Sequence, residues 1–288
     1  MVMDLSMIDA TAATDVGIRR QLRPNQDSYI LRRINSIDNK FLFAAVADGH
    51  GERAGELAST TAVECAYWLA QRLLQGYVFV NLTEAIHKAV QYASARVNHR
   101  LGRAGLLGCG DTMLDAIIVS DSGEWAGAHV GDGRIYSGEI ARSALEQLTN
   151  DDVSYHSQTA PISDDERLFL RFGQHNYDVT VTLGRAQPDD IQLLRGTLEP
   201  AQTIVMVTDG VYEAVHPSEM ADCVRYSKNP AQSIVNRARI PQMRVDLIVQ
   251  GLLSRNEPAD RQKINNSLAG SDNATAIVIT TEAFGCAR

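Results

Sequence analysis

Nothing in this sequence pairs its cysteines. Its four, Cys65, Cys109, Cys223 and Cys286, lie far apart, with no CxxC and no histidine at zinc-site spacing. That pattern excludes a disulfide framework and a cysteine-based metal centre; each thiol reads as a small buried side chain or a free one, which fits a reducing cytoplasm. No run approaches the roughly 18 apolar residues of a membrane span. The first residues, MVMDLSMIDATAATD, show no basic stretch followed by an apolar one, so no signal peptide is expected. Basic residues are not in excess either: 27 Lys and Arg against 35 Asp and Glu give a net charge of −8, which argues against a general nucleic-acid binder. Internal repeats and Pro/Gly/Ser-rich linkers are absent too. A single cytoplasmic domain over residues 1–288 is therefore expected, with no membrane and no nucleic-acid partner.

What the chain does have is clear periodicity. Ser28 to Ile34 and Lys40 to Ala47 read as strands, the second apolar enough to be covered on both faces. Leu57, Ala58, Thr61, Cys65, Trp68, Leu69 and Leu73 recur at three- and four-residue spacing and predict a helix over 54–74. Ala85, Ile86, Ala89, Val90, Ala93, Val97 and Leu101 predict another over 82–101, with Asn81 and Glu84 as a capping box. Strand signals return at 113–120, 124–130, 134–137, 191–194, 203–208 and 274–281, and helices are expected over 218–226 and 230–253. The polar, irregular stretch 150–176 reads as a surface excursion. Its acids Asp151, Asp152, Asp164, Asp165 and Glu166 are expected to form a solvated face. Strands, two helices, strands, then helices and a closing strand make an α+β layout.

The acids fall in telling places. Three apolar strands end in Asp-Gly: at Asp48, Asp132 and Asp209. Asp272 precedes the last strand and Asp27 the first of those read here. One Asp-Gly is a common turn dipeptide and carries little weight. If the strands share a sheet or sandwich, however, their ends bring Asp27, Asp48, Asp209 and Asp272 together. Carboxylates that close repel one another unless a cation neutralises them. A set of oxygen donors without Cys or His suits Mg²⁺ or Mn²⁺, and two such ions can activate water and clamp a phosphoryl group. Separate turn acids on a solvated rim remain the alternative at this level.

The blocks in order resemble the metal-dependent Ser/Thr phosphatases, the protein phosphatase 2C family. RPNQDSY ending at Tyr29, VADGHGERAGELAS from Val46, GCGDT from Gly108, HVGDGRIY from His129, LTND from Leu148, VTLGR from Val181, VMVTDGVYEAV from Val205 and GSDNATAIVI from Gly270 follow that family's sequence of motifs. The resemblance implies a four-layer αββα fold: a central antiparallel β-sandwich flanked by pairs of helices, with a flap at about 150–180. It implies two Mg²⁺ or Mn²⁺ ions. Asp48 would bridge them, Gly49 would offer its carbonyl, Asp209 and Asp272 would complete one ion's ligands, and Asp27 would act directly or through bound water. A hydroxide held between the ions would attack phosphorus in line, without a covalent phosphoenzyme, and His50 would protonate the leaving alkoxide. Asp132 is read as ordering its loop, and Asp111 and Asn273 as supporting the ligands from behind. The implied substrates are proteins phosphorylated on serine or threonine, in opposition to a Ser/Thr kinase.

The chain departs from the pattern in three places, the simplest being Gly133 in HVGDGRIY, where the family's block has serine. The family's phosphate-binding arginine, five residues before the first acid, is Leu22 here, with Arg23 adjacent. Arg23 is the expected grip on phosphate, and Arg20 the alternative if the loop is shifted. Leu106 and Leu107 precede the glycine block where relatives with a third metal carry an acid, so a third ion is not expected unless it uses Asp111 differently. Two other readings stand beside the phosphatase: a phosphoprotein-binding module that has lost turnover, and a phosphatase of small phosphate esters.

Overall fold

In β3 (Lys40–Ala47) seven consecutive residues after Lys40 are buried. Phe41, Phe43, Ala45 and Ala47 point into one core, while Leu42, Ala44 and Val46 point into another. A strand with a period of two and two apolar faces has to be covered on both sides, and the architecture follows from that need. The computed structural model describes residues 8–17, 24–37, 39–51, 54–76, 81–155, 177–239 and 272–281.

Two five-stranded sheets stack face to face. One runs β12 (Gln192–Thr197), β7 (Glu124–Val130), β6 (Leu114–Ser120), β3, β2 (Ser28–Asn35). The other runs β1 (Ile8–Asp15), β14 (Ala274–Thr281), β13 (Gln202–Val207), β8 (Arg134–Glu139), β9 (Glu146–Gln147). Neighbours within both are antiparallel. Between the sheets lie Leu42, Val46, Ile117, Val119, Ile204, Met206, Ile277 and Ile279. Truncating one of the fully buried isoleucines, such as Ile117, to alanine is expected to cost about 2–5 kcal/mol.

Helices α1 (Gly55–Gln75) and α2 (Leu82–Arg103) cover the outer face of the first sheet. Buried alanines at four-residue spacing, Ala58, Ala62, Ala66 and Ala70 in α1 and Ala85, Ala89 and Ala93 in α2, let the two helices approach closely. After a helical turn, α3 (Asp209–Tyr212), helices α4 (Pro217–Tyr226) and α5 (Pro230–Arg239) cover the second sheet. The order helix, sheet, sheet, helix is the four-layer αββα sandwich. Among the described residues, no helix is long and apolar enough to cross a membrane.

The expected strands 40–47, 124–130 and 274–281 have the same limits in the structure, and both long helices end within two residues of expectation. The Asn81 side chain accepts from the Glu84 N–H at 2.8 Å, one half of the expected capping box. The sequence reading missed β1. Its residues IDATAATD offer little apolar signal, and only Ile8 and Ala13 are buried, because this is an edge strand held by its eight-residue pairing with β14. The excursion after residue 150 begins and ends as a two-stranded ribbon, β10 (Val153–Tyr155) with β11 (Tyr177–Val179). Residues 156–176 and the second half of the helix expected over 230–253 lie outside the described residues.

Register explains where the acids land. Ser28 pairs with Ala47, so Asp27 just before β2 and Asp48 just after β3 share one end of their sheet. Val207 pairs with Ala276, which puts Asp209 after β13 and Asp272 before β14 at one end of theirs. Leu114 pairs with Val130, so the turn carrying Asp132 lies beside the start of β6.

Candidate active site

Each of these acids is held by its own local frame. The Asp48 carbonyl accepts from the Met113 N–H at 2.8 Å and the Thr112 hydroxyl at 2.6 Å. On Asp27, Oδ2 accepts from the hydroxyls of Thr208 at 2.9 Å and Thr275 at 2.7 Å. Its Oδ1 is buried and accepts no hydrogen bond among the described residues. Asn273 stitches three segments together: its Oδ1 accepts from the Gln26 N–H at 2.9 Å, its Nδ2 donates to Val16 at 3.0 Å, and its own N–H donates to Asp272 at 2.7 Å. Asn273 thus ties the backbone before Asp27 and the end of the first strand's segment to the Asp272 side chain.

Electrostatics shows that the acids converge. Burial pushes the Asp27 carboxyl up to about 8, with the charges of Asp209 and Asp272 adding to it and the Thr275 and Thr208 hydrogen bonds opposing. Burial likewise holds Asp48 well above the carboxylate range, and Asp209, Asp27, Asp272 and Asp132 all push in the same direction. So many carboxylates cannot ionise together at neutral pH without positive charge among them. Among the described residues no three groups already stand at ligating distance round one point. An open cluster of this kind is what mutually repelling ligands form, and the donor set is all oxygen, the chemistry that hard divalent cations take. With the orphaned Oδ1 of Asp27, these residues fit such a cation.

Asp48, Asp209 and Asp272 face a cleft of about 470 Å³ whose walls also include Gln26, the neighbour of Asp27, with His50, Asp132 and Arg185. Asp132, expected to order its loop from behind, is on that wall, and the Tyr212 hydroxyl donates to its Oδ2 at 3.4 Å. His50 lies in a two-residue ribbon, β4 (Gly49–His50) against β5 (Asp111–Thr112), directly opposite Asp111. Burial lowers the His50 pKa; Asp111 opposes that shift and Arg185 adds to it. Asp111 itself accepts from the Thr182 hydroxyl at 2.7 Å, the Gly184 N–H at 3.0 Å and the Thr112 N–H at 2.9 Å, so it ties a neighbouring turn to the residue whose hydroxyl fixes Asp48.

One expectation changes. Asp151 and Asp152 are not a solvated face: Asp151 pairs with the buried Arg134 guanidinium at 3.1 Å, and Asp152 accepts from the Gly131 N–H at 2.9 Å. Both are part of the frame under the Asp132 turn. Thr208, Thr275 and Arg185 were missed as site residues. The two threonines could have been suspected from their places beside Asp209 and Asn273, and Arg185 from its position closing VTLGR. Arg20, Arg23, Asp164, Asp165 and Glu166 lie outside the described residues.

Comparison with known proteins agrees with this layout. The sequence profile of the family described as protein phosphatase 2C matches residues 17–243. A protein of Streptococcus pyogenes serotype M6, named as of the protein phosphatase 2C type, is 28% identical over 219 residues, 72% of this chain and 80% of that protein. The fold is similar to that of the Mycobacterium tuberculosis serine/threonine phosphatase PstP, with a TM-score of 0.65 at 19% identity over 96% of this chain and 99% of that one. A structure of the PstP catalytic domain with two manganese ions gives a TM-score of 0.63 at 18% identity, over 96% of this chain and 98% of that one.

Proposed function

We propose that this chain, which belongs to the protein phosphatase 2C family and is a protein serine/threonine phosphatase, works as one catalytic domain with two Mg²⁺ or Mn²⁺ ions in the carboxylate cleft. The observation that carries the metal reading is the convergence of Asp27, Asp48, Asp209 and Asp272, with burial and mutual repulsion raising the pKa of Asp27 and Asp48. Asp48, Asp209, Asp272 and the Gly49 carbonyl would hold the ions, with Asp27 contributing its orphaned Oδ1 directly or through water. Asp132 stands on the cleft wall as a further carboxylate. When bound, such ions supply an acidified water as nucleophile and charge to neutralise the phosphoryl oxygens, so no covalent phosphoenzyme is required.

The chain's own groups do the rest. Thr208 and Thr275 fix Asp27, and Thr112 fixes the Asp48 backbone, so these two acids are oriented from behind. His50 stands on the cleft wall, where it can pass a proton to the departing serine or threonine oxygen. Its lowered pKa makes the imidazolium the minority form near neutrality and a stronger donor when it forms. The manganese in the related PstP catalytic domain supports the choice of metal. Substrates would be phosphorylated serine and threonine side chains of proteins, set against a Ser/Thr kinase.

The test is phosphate release from a phosphothreonine peptide by the purified protein with Mn²⁺, with Mg²⁺ and with EDTA. Release that needs metal and disappears in Asp48→Asn is the expected result. Release unaffected by EDTA would overturn the metal assignment.

A further inference from the structure

We propose that Arg185 is the residue that grips the phosphate of the substrate, taking the part that the first sequence block leaves to Leu22. This inference rests on reading the cleft as a phosphatase site. A phosphomonoester brings negative charge into a cleft walled by carboxylates, so a fixed cation there has a large effect on binding. Among the described residues lining that cleft, Arg185 is the one permanent cation. It stands on the divide between the cleft and a side hollow of about 290 Å³ whose lining includes His50, Asn98, Leu107 and Asp111. Arg185 shares both linings with His50, so a phosphate bound in the cleft would come within its reach.

The turn that carries Arg185 is itself held in place. Leu183 is fully buried, and its N–H donates to the Thr112 carbonyl at 2.8 Å. Asp111 takes the Thr182 hydroxyl on one oxygen and the Gly184 N–H on the other. From α2, the Asn98 amide donates to the Gly184 carbonyl at 2.5 Å. The fit is tight enough that a Cβ on Gly184 would lie 2.7 Å and 2.8 Å from the two Asp111 oxygens. Asp111 is thereby a positioning residue, its oxygens engaged by the turn. The Arg185 side chain is exposed. Backbone clamped on three sides fixes where the exposed guanidinium is rooted, and its planar fork suits two phosphate oxygens at once.

The experiment uses full-length Mn²⁺-loaded protein as wild type, Arg185→Gln, Arg185→Lys and Arg23→Gln. It reads KM and kcat for a phosphothreonine peptide and for para-nitrophenyl phosphate, and inorganic phosphate binding by calorimetry, with melting curves to show that each variant is folded. Arg185→Gln should weaken phosphate binding and raise KM for both substrates by a similar factor, on the order of 10- to 100-fold for a lost charge-assisted contact. Arg185→Lys should recover part of it. A rise in KM for the peptide alone, with phosphate binding and the small ester unchanged, would mean that Arg185 touches peptide and not phosphate. A fall in kcat alone would mean that it acts on His50. Loss of phosphate binding in Arg23→Gln but not in Arg185→Gln would give the role to Arg23. Each of those three outcomes overturns the proposal. Wild-type protein that binds phosphate through Arg185 yet turns over neither substrate would leave the grip standing and sink the phosphatase reading instead.

Discussion

Two sets of buried acids lie at the strand ends, and they are treated in opposite ways. Under the Asp132 turn, Asp115 meets the His129 imidazole at 2.6 Å and Asp151 meets Arg134 at 3.1 Å, with all four side chains almost inaccessible. These acids have their countercharge supplied by the chain. In the cleft, Asp27 and Asp48 are pushed up by burial and by each other's neighbours, and His50 and Arg185 are the basic groups among the described residues on its walls. Burying a charge without a partner is costly. Acids that bring their own cations are frame, and acids whose crowding raises one another's pKa are where the proposed ions would sit.

The sharpest way to break that comparison is to neutralise one acid of each kind. Asp209→Asn removes a proposed ligand, and turnover should fall by about 10³-fold or more, the several kcal/mol that a metal contributes to a phosphoryl transition state. The metal-free variant should nevertheless melt no lower than the wild type, because it relieves repulsion. A folded Asp209→Asn protein with near-normal turnover would remove Asp209 from the site.

Asp115→Asn should do the reverse. Leaving His129 without its partner is expected to cost about 3–5 kcal/mol of stability, while turnover per folded molecule stays close to wild type. Denaturant melts beside active-site titration separate the two effects. The same contact explains a departure in the HVGDGRIY block, where glycine replaces the serine usual in the family: a Cβ on Gly133 would lie 2.2 Å from Asp115 Oδ2. Gly133→Ser should therefore destabilise the protein as well.

Smaller again is the effect expected behind the ligands. Thr275→Val removes one of two hydroxyls that fix Asp27, and groups of this kind typically contribute 10- to 100-fold in metal affinity. Calorimetric titration with Mn²⁺ should show a drop within roughly that range, with the melting temperature of the metal-free protein little changed. An unaltered affinity would mean that Asp27 does not serve the metal.

What the sequence made legible follows the same division. Apolar runs such as KFLFAAVA report their own burial, and an acid at the end of such a run is conspicuous, so Asp27, Asp48, Asp209 and Asp272 could be picked out one by one. Their convergence needed the pairing Ser28 with Ala47 and Val207 with Ala276, which no local pattern states. Residues whose meaning depends on a distant partner stayed hidden. Thr275 matters through Asp27, 248 positions away, and Arg185 through a turn that Asp111 holds from 73 residues earlier. Asp151 looked like one of a row of surface acids until Arg134 was found against it. The edge strand β1 gave no signal, because β14 and not its own composition makes it a strand.

The last contrast between the two sets is their response to pH. Burial disfavours the His129 imidazolium, but Asp115, with Asp152 and Asp151 beyond it, more than offsets that and holds the pKa at about 9. A pKa raised above its unfolded value means stability that is complete below the ordinary histidine range near 6.5 and is lost as pH rises through about 9. Burial raises Asp115 too, which takes back part of the gain and makes this the smallest of the effects. In metal-free protein the raised Asp27 and Asp48 also lose stability toward alkaline pH, so the wild-type slope alone decides nothing. The difference in melting temperature between wild type and His129→Gln, both saturated with Mn²⁺, isolates the pair. That difference should shrink as pH rises from about 6.5 through about 9. If it stays constant across the range, His129 is neutral in the folded protein, and the internally paired set loses its clearest member.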